Sequence, residues 1–245
     1  MEKVLLITGG SSEIGMQLIR KIYKNYNKIY LQYHCMNESL QSISDELFLE
    51  TDVELIQSDF LDLESIESLI LRIKDSGVLP NNIVHLPALK IYNKQFHKDE
   101  WNNFELGWKV SVQSIVMILQ AFLPVMSKQK YGRIVFMLTS YTYNDPARFQ
   151  SAYVTVKYAL LGLMKSLSVE YMDKGITVNG VSPDMMETKF LSELPDLIVE
   201  KSRFNSPLGR NIYVDEVIPI IDYMLSDLGA SMTGQNIAIT GGIRH

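Results

Sequence analysis

The chain has 245 residues, of which 47% are apolar, and a net charge of −5. This length and composition suit one large α/β domain with a substantial core, and the negative charge gives no electrostatic support to a nucleic-acid partner. The lone cysteine, Cys35, excludes an internal disulfide and fits a reducing cytosol.

Signals for export, membrane insertion and metal binding are weak in this sequence. The first apolar run, Val4 to Ile7, is shorter than a secretory signal requires and leads into a glycine turn. We expect no apolar run of membrane-spanning length. The histidines of the chain do not show the spacing of metal ligands; they are His34, His85, His97 and His245. A cytoplasmic protein with no membrane contact and no metal site is therefore expected.

Short β-rich runs alternate with helical patterns along the chain. The predicted strands are Lys3–Thr8, Lys28–Tyr33, Val53–Gln57, Asn82–Leu86, Arg133–Leu138, Thr177–Val181 and Asn236–Thr240. The predicted helices begin near Ile14, Asn37, Leu63, Asp99, Ser151, Glu187 and Val214. This alternation predicts a parallel sheet of about seven strands, covered by helices, with residues 1–245 forming a single domain.

The two longest predicted helices, Asp99–Lys128 and Ala152–Asp173, carry more apolar residues than one sheet face needs. A wide core contact and an oligomer interface both explain this surplus. In the second interpretation, a homotetramer or dimer would bury residues that otherwise meet water. Those residues are Ile115, Leu119, Phe122, Leu160, Met164 and Leu167.

The segment Asp184–Arg210 interrupts the alternation with two methionines and two prolines, Met185, Met186, Pro195 and Pro207. In an open α/β sheet, the loops after the strands line the ligand crevice. Because methionine packs adaptably, this segment is interpreted either as a substrate lid or as an irregular surface connection.

A glycine-rich turn directly follows the first predicted strand, within Val4–Gly15. Gly9 and Gly10 let the backbone approach a pyrophosphate, and Gly15 opens a helix whose N-terminus supplies free N–H groups and a positive dipole end. A degenerate glycine motif is a weak signal alone, but its place after a strand strengthens it.

Tyr153 and Lys157 lie four residues apart at the start of a helical pattern, with Ser140 thirteen residues upstream of Tyr153. Side chains at i and i+4 share one helix face. A nearby ammonium favours the phenolate, so Lys157 is expected to lower the pKa of Tyr153 and to let it protonate a carbonyl oxygen near neutral pH. Beside a dinucleotide site, this group predicts hydride transfer to a ketone.

These motifs, in this order, resemble the short-chain dehydrogenase/reductase family over nearly the whole chain. Its first turn, T-G-x-x-x-G-x-G, is similar to Thr8–Gly15, and its Y-x-x-x-K pair is similar to Tyr153 and Lys157. Further matches are Gly175–Asn179 with Ser182–Thr188, Pro207–Arg210, Thr233–Gln235 and Gly241–Gly242. The resemblance implies a Rossmann-like doubly wound parallel sheet with helices on both faces.

The resemblance also implies roles for particular residues. Ser140 would orient the substrate, with Thr139 as a substitute, while Tyr153 and Lys157 would act in catalysis and contact the cofactor. Thr188 would hold the nicotinamide carboxamide, and Asp59 would contact the adenine amino group unless it is only a helix N-cap. The turn residues assigned to the cofactor are Gly9, Ser11, Ser12, Ile14 and Gly15.

The chain departs from the family pattern at several positions. Glu13 replaces a glycine of the first turn and is expected to point away from the pyrophosphate, and Asp184 replaces the glycine after Pro183. The N-N-A-G stretch is absent, and Pro87 is expected to rigidify that turn instead. Ser111 is the best match to an asparagine that holds a water in the proton relay. The alternative is that Ser111 is only helix surface.

No carboxylate appears at the end of the second predicted strand before Glu38. A carboxylate there would grip the ribose 2′-hydroxyl and favour NAD. Its absence favours NADPH over NADH, with His34 or Asn37 available to the 2′-phosphate.

The predicted function is NADPH-dependent reduction of a ketone to a secondary alcohol, similar to that of 3-oxoacyl-[acyl-carrier-protein] reductases. The candidates for a basic patch that would meet an acidic carrier protein are Lys128, Lys130, Arg133 and Lys174. The alternative is that each of them is an ordinary solvated residue. The alternatives are an NAD-linked alcohol dehydrogenase for a small polar substrate and a non-catalytic nucleotide-binding partner subunit.

Overall fold

A computed structural model describes residues 2–47, 51–91, 93–143, 145–188, 191 and 196–242. The strands are β1 Val4–Thr8, β2 Lys28–Tyr33, β3 Asp52–Gln57, β4 Asn82–His85, β5 Gly132–Met137, β6 Ile176–Pro183 and β7 Asn236–Ile239. The helices are α1 Glu13–Ile22, α2 Glu38–Leu47, α3 Leu63–Asp75, α4 Trp101–Trp108, α5 Ser114–Gln129, α6 Ser151–Glu170, α7 Asp196–Asn205 and α8 Val214–Leu225.

The described strands form one seven-stranded parallel sheet in the order β3-β2-β1-β4-β5-β6-β7. All seven predicted strands are confirmed, with ends that shift by one or two residues. The chain runs outward from β1 to β3 and then returns to β4 beside β1. This reversal opens a crevice at the carboxyl ends of β1 and β4, where ligands bind in such sheets.

Alternation along each strand divides the core between the two faces of the sheet. Leu5 and Ile7 of β1 pack in the cluster that includes α1, α2 and α8. Leu6 belongs to the opposite cluster, which includes α3, α5 and α6. Helices therefore cover both faces, and the Rossmann-like doubly wound architecture is confirmed.

The prediction of a helix that begins near Glu187 is wrong. Glu187 lies in extended chain, where its N–H donates to the Ile212 carbonyl at 2.8 Å, next to an isolated bridge between Met186 and Ile212. The next described helix is α7, and Pro195 falls outside the described residues. The pairing with Ile212 occupies the backbone groups that a helix would use.

The apolar surplus on the two long helices belongs to the core of one chain. Ile115, Leu119, Phe122, Leu160 and Met164 are at most 2% exposed, and Leu167 packs partly buried against the same cluster. The core interpretation is confirmed for these residues. The argument that used them to predict an oligomer interface is wrong.

The helical stretch Trp101–Gln129 also corrects the expectation about membrane-spanning length. Its 29 residues are long and apolar enough to cross a membrane by length and composition, but half of its most apolar window is buried inside the protein. Because Ile115, Ile118 and Phe122 face the sheet with no exposed surface, its apolar character is that of a core helix.

Candidate active site

The glycine turn joins β1 to α1 at the carboxyl end of the sheet. Gly9 has a φ of 68°, a left-handed conformation that favours glycine. A Cβ on Gly15 would lie 2.5 Å from the carbonyl oxygen of Gly10. Ser12 caps α1, since its hydroxyl accepts the Gly15 N–H at 3.2 Å. The close turn and the helix N-terminus fit a pyrophosphate.

Gln32 accepts hydrogen bonds from the backbone of this turn, a role that the sequence analysis did not predict. The side chain is buried, its Oε1 accepts the Gly9 N–H at 2.8 Å, and its amide donates to the Ser58 carbonyl at 2.8 Å. Its own carbonyl accepts the Gly10 N–H at 2.8 Å. The signal available in the sequence was the polar side chain of Gln32 near the end of a mostly apolar predicted strand.

The residues predicted for the adenosine side lie around the ends of β2 and β3. His34 Nε2 is 3.7 Å from Asp59 Oδ2, and both side chains are exposed. Asp59 does not cap α3, because that cap is Asp62, whose Oδ1 accepts the Glu64 N–H at 3.0 Å. The N-cap alternative for Asp59 is therefore wrong. Asn37 contacts the glycine turn through a hydrogen bond that its side-chain amide donates to the Ser11 carbonyl at 3.0 Å.

Two further residues of the turn lie in the first turn of α1. Glu13 is the first residue of that helix, and the side chain of Ile14 is buried in the core cluster. An acidic residue in the first helical turn is favourable for the helix dipole.

Ser140, Tyr153 and Lys157 meet at the carboxyl end of β5. Ser140 lies in the short helical turn after β5, and Tyr153 and Lys157 lie in the first two turns of α6. Lys157 is buried, its Nζ donates to the Met137 carbonyl at 2.7 Å, and its ammonium lies 5.7 Å from the Tyr153 ring centroid. Thr139 is also here and hydrogen-bonds Tyr153.

The predicted lowering of the Tyr153 pKa is wrong for this structure. Burial raises the pKa of Tyr153 to about 12, although the hydrogen bond with Thr139 acts in the opposite direction. Burial also lowers the pKa of Lys157 to about 8. Desolvation disfavours the charged form of both groups. At neutral pH, Tyr153 is therefore a phenol and Lys157 an ammonium.

Ser111 lies in a π-helical turn, Lys109–Gln113, between α4 and α5. Such turns are frequent at functional sites. The side chain is buried, and its hydroxyl donates to the Pro87 carbonyl at 3.2 Å. The alternative that Ser111 is helix surface is wrong.

His85 links Ser111 to the glycine turn. Its Nε2 is 2.8 Å from the Ser111 carbonyl, and its Nδ1 is 2.8 Å from the Thr8 hydroxyl. Because the carbonyl only accepts, Nε2 carries the proton and Nδ1 accepts from Thr8. The sequence analysis assigned no function to His85. Pro87 lies close to the glycine turn, since a Cβ on Gly9 would lie 3.1 Å from the Pro87 nitrogen.

Asp184 brings a carboxylate to the same site. The Ser140 hydroxyl donates to Asp184 Oδ1 at 3.1 Å.

Thr188 follows Asp184 by four residues, and its carbonyl accepts the Leu191 N–H at 2.9 Å. The Met-rich segment is anchored through Glu187, which forms a two-point ion pair with Arg203.

A cleft opens beside Tyr153 between the loop after β4 and the helices α4 and α6. It is lined by Ala88, Leu89, Lys90, Asn103, Leu106, Gly107, Ser111, Ala152, Val156 and Lys157. Most of these side chains are apolar or small, which suits a hydrocarbon segment of a substrate.

The basic residues considered for a carrier protein lie away from this site. Lys128, Lys130 and Arg133 precede or begin β5, and Lys174 precedes β6, whereas Ser140 and Asp184 follow those strands. Arg133 is buried and donates to the Gly132 and Gly175 carbonyls. The prediction that these residues form a basic patch near the site is therefore wrong, because they lie at the amino ends of the strands.

This fold and site define one class of protein, the NAD(P)-dependent oxidoreductases. The chain belongs to the short-chain dehydrogenase/reductase family, since residues 11–244 match the family model described as Enoyl-(Acyl carrier protein) reductase. Within the family, it resembles the 3-oxoacyl-[acyl-carrier-protein] reductase branch.

Curated relatives and solved structures agree with this assignment. Oxidoreductase UcpA of Salmonella typhimurium is 28% identical, covering 98% of this chain and 94% of the relative. 3-Oxoacyl-[acyl-carrier-protein] reductase FabG of Aquifex aeolicus is 27% identical, covering 98% and 97%. The structure of levodione reductase superposes with a TM-score of 0.88 at 20% identity, covering 98% and 96%.

The structure of 3-oxoacyl-[acyl-carrier protein] reductase from Brucella melitensis is also similar. It has a TM-score of 0.86 at 19% identity and covers 99% of this chain and 91% of that chain. At this identity, the likeness is one of fold.

Proposed function

We propose that this protein reduces a ketone to a secondary alcohol with NADPH, and that its substrate is a 3-oxoacyl thioester on an acyl carrier protein. The observation behind the proposal is that Tyr153 and Lys157 line an apolar cleft at the carboxyl end of the sheet, and that Tyr153 hydrogen-bonds Thr139, the residue directly before Ser140. The whole chain, residues 1–245, would act as one nucleotide-binding domain.

The chemistry that a bound nicotinamide cofactor supplies is hydride transfer to the ketone carbon. The residues that would hold it are Gly9, Ser11, Ser12, Ile14 and Gly15 at the phosphates, His34 and Asp59 at the adenosine, and Lys157 and Thr188 at the nicotinamide end. The close glycine turn supports this fit.

Tyr153 is proposed to protonate the alkoxide that forms on the ketone oxygen. Its pKa of about 12 keeps the phenol protonated at neutral pH, and an alkoxide is a stronger base than a phenolate. Ser140 would hydrogen-bond the carbonyl oxygen and stabilise its growing charge. The Lys157 ammonium, 5.7 Å from the Tyr153 ring, would stabilise the phenolate that remains.

The preference for NADPH rests on the sequence between Tyr33 and Asn37, which has no carboxylate. Asp59 lies 3.7 Å from His34 and offsets part of the charge that a protonated His34 would offer to a 2′-phosphate. We therefore expect NADPH to bind more tightly than NADH by a modest factor.

A cytoplasmic homotetramer or dimer is proposed for the assembly, without nucleic acid or membrane. Its support is an exposed stripe on α6 that carries no charge, formed by Thr155, Tyr158, Gly162, Ser166 and Val169. Because Val169 is 67% exposed, a second copy of this chain would bury apolar surface there.

The function is tested by following NADPH and NADH oxidation with a short 3-oxoacyl thioester. Tyr153→Phe should lower kcat by at least about a hundredfold, the range of one acid–base contribution, while cofactor binding survives. The matched control is Tyr223→Phe, because Tyr223 is an exposed tyrosine on α8 that belongs neither to the cleft nor to the stripe on α6.

Near wild-type turnover in Tyr153→Phe would contradict the assignment of the acid. Cofactor binding without turnover of any ketone by the wild-type protein would favour the non-catalytic partner subunit instead. A clear preference for NADH would favour the NAD-linked alcohol dehydrogenase.

A further inference from the structure

Asp184 occupies a fixed place at the carboxyl end of β6. It directly follows Pro183, and its backbone N–H donates to the Ile239 carbonyl at 3.0 Å. Its Oδ1 accepts the hydroxyl of Ser140, which is 1% exposed, at 3.1 Å. The serine proposed to orient the ketone is therefore in direct contact with a carboxylate.

This contact limits how far the carboxylate lies from a bound ketone. An oxygen that accepts a hydrogen bond from the Ser140 hydroxyl lies about 2.8 Å from it. The ketone oxygen is then at most about 6 Å from Asp184 Oδ1, because that atom lies 3.1 Å from the same hydroxyl. A substituent on the ketone carbon can extend toward Asp184 or away from it.

Two cations need to be considered around this site. The Lys157 ammonium donates to the neutral Met137 carbonyl at 2.7 Å, so it keeps its positive charge. Arg210, which lines the same small cavity as Asp184, forms a two-point ion pair with Glu216 at 2.8 Å. The Ser140 hydroxyl that Asp184 contacts is neutral and leaves the negative charge of this carboxylate in place.

We propose that Asp184 determines substrate specificity by repelling ketones that carry a carboxylate beside the reacting carbonyl. The site would accept neutral 3-oxoacyl derivatives, such as thioesters and amides, and reject free 3-oxo acids. This inference rests on the proposed ketone reduction and names the substrate class for it. A neutral group with an N–H also satisfies Asp184 when Ser140 turns to the ketone.

The test compares acetoacetate with acetoacetamide in NADPH oxidation. The two probes have the same number of heavy atoms and differ by one negative charge. The wild-type protein should prefer acetoacetamide in kcat/KM by about a hundredfold. Coulomb's law gives this order when the carboxylate of acetoacetate lies about 6 Å from Asp184 in an effective dielectric of about 20.

Asp184→Asn keeps the size of the side chain and removes its charge, so the preference should fall to about tenfold or less, mainly through a gain on acetoacetate. Asp184→Gly, which restores the family residue, should show the same fall and guards against a folding defect in one variant. The matched control is Asp173→Asn, because Asp173 is an exposed carboxylate paired with Lys174.

Two outcomes would overturn this inference while the proposed function stands: equal use of both probes by the wild-type protein, or an unchanged preference in both Asp184 variants. Failure to oxidise NADPH with either probe and with a 3-oxoacyl thioester would overturn the proposed function together with the inference. A thermal melt of each variant verifies that it is folded.

Discussion

At the scale of single residues, His85 shows how burial sets the charge of a group. Burial lowers the pKa of His85 to about 3, and the nearby Lys157 charge acts in the same direction, while the hydrogen bond to the Ser111 carbonyl opposes it. The neutral ring then holds Thr8 and Ser111 in one arrangement, which joins the glycine turn to the π-helical turn.

This burial predicts a pH dependence of stability. Between about pH 3 and the ordinary histidine value of about 6.5, the unfolded chain binds the proton that folded His85 excludes. The contribution to the free energy of unfolding is therefore complete above about pH 6.5 and is lost as the pH falls. At pH 5 the loss is about 2 kcal/mol.

Denaturant unfolding at pH 7 and pH 5 measures this loss, and His85→Asn should remove it from the pH dependence. The control is His97→Asn, since His97 is exposed and should leave the pH dependence unchanged. An equal pH dependence in the wild-type protein and His85→Asn would contradict the prediction.

At the scale of elements, the turn between β1 and α1 depends on backbone contacts that exclude any side chain. A Cβ on Gly15 would lie 2.5 Å from the Gly10 carbonyl oxygen and 2.8 Å from the Gly10 Cα. Both contacts are with backbone, so neither can move without opening the turn. The N-cap at Ser12 and the hydrogen bonds to Gln32 would shift with it.

Gly15→Ala should therefore destabilise the protein by about 1–3 kcal/mol and weaken cofactor binding. Gly162→Ala is the matched control for stability, because a Cβ on this helical glycine meets no atom of its own chain within 4 Å, and light scattering verifies that the mass is unchanged. That change should stabilise α6 by up to about 1 kcal/mol. Thermal unfolding and titration with NADPH measure both effects, and an unaffected Gly15→Ala protein would contradict the tight-turn argument.

At the scale of the whole molecule, the assembly depends on which surface the folded chain leaves uncovered. The core takes up Ile115, Phe122 and Leu160 completely. The uncharged stripe on α6 remains, with Tyr158 45% and Val169 67% exposed. In a two-fold arrangement, the same helix of each copy meets its partner, and Tyr153 lies in the first turn of that helix.

Light scattering should therefore give a mass above that of one chain, and Val169→Asp should lower it, because the substitution brings like charges together across the two-fold axis. Activity should fall with the mass, since α6 carries Tyr153. Leu71→Asp is the control on α3, where Leu71 is 57% exposed. A fully active wild-type monomer at low micromolar concentration would count against the assembly.

The strands, the glycine turn and the spacing of Ser140, Tyr153 and Lys157 could be read from the amino-acid sequence alone. These features depend on neighbouring residues: strands repeat every two residues, Tyr153 and Lys157 share a helix face because they are four apart, and the tight turn requires glycine. The order of such local signals was sufficient to predict a doubly wound parallel sheet.

The contacts between residues of different elements became visible in the folded chain. His85 bonds Thr8 and Ser111, which are 77 and 26 residues away, and Ser140 bonds Asp184 across 44 residues. The tertiary structure also assigned Ile115 and Leu160 to the core and raised the pKa of Tyr153 through burial. Burial and long-range contacts depend on how the elements pack, and local sequence patterns do not specify that packing.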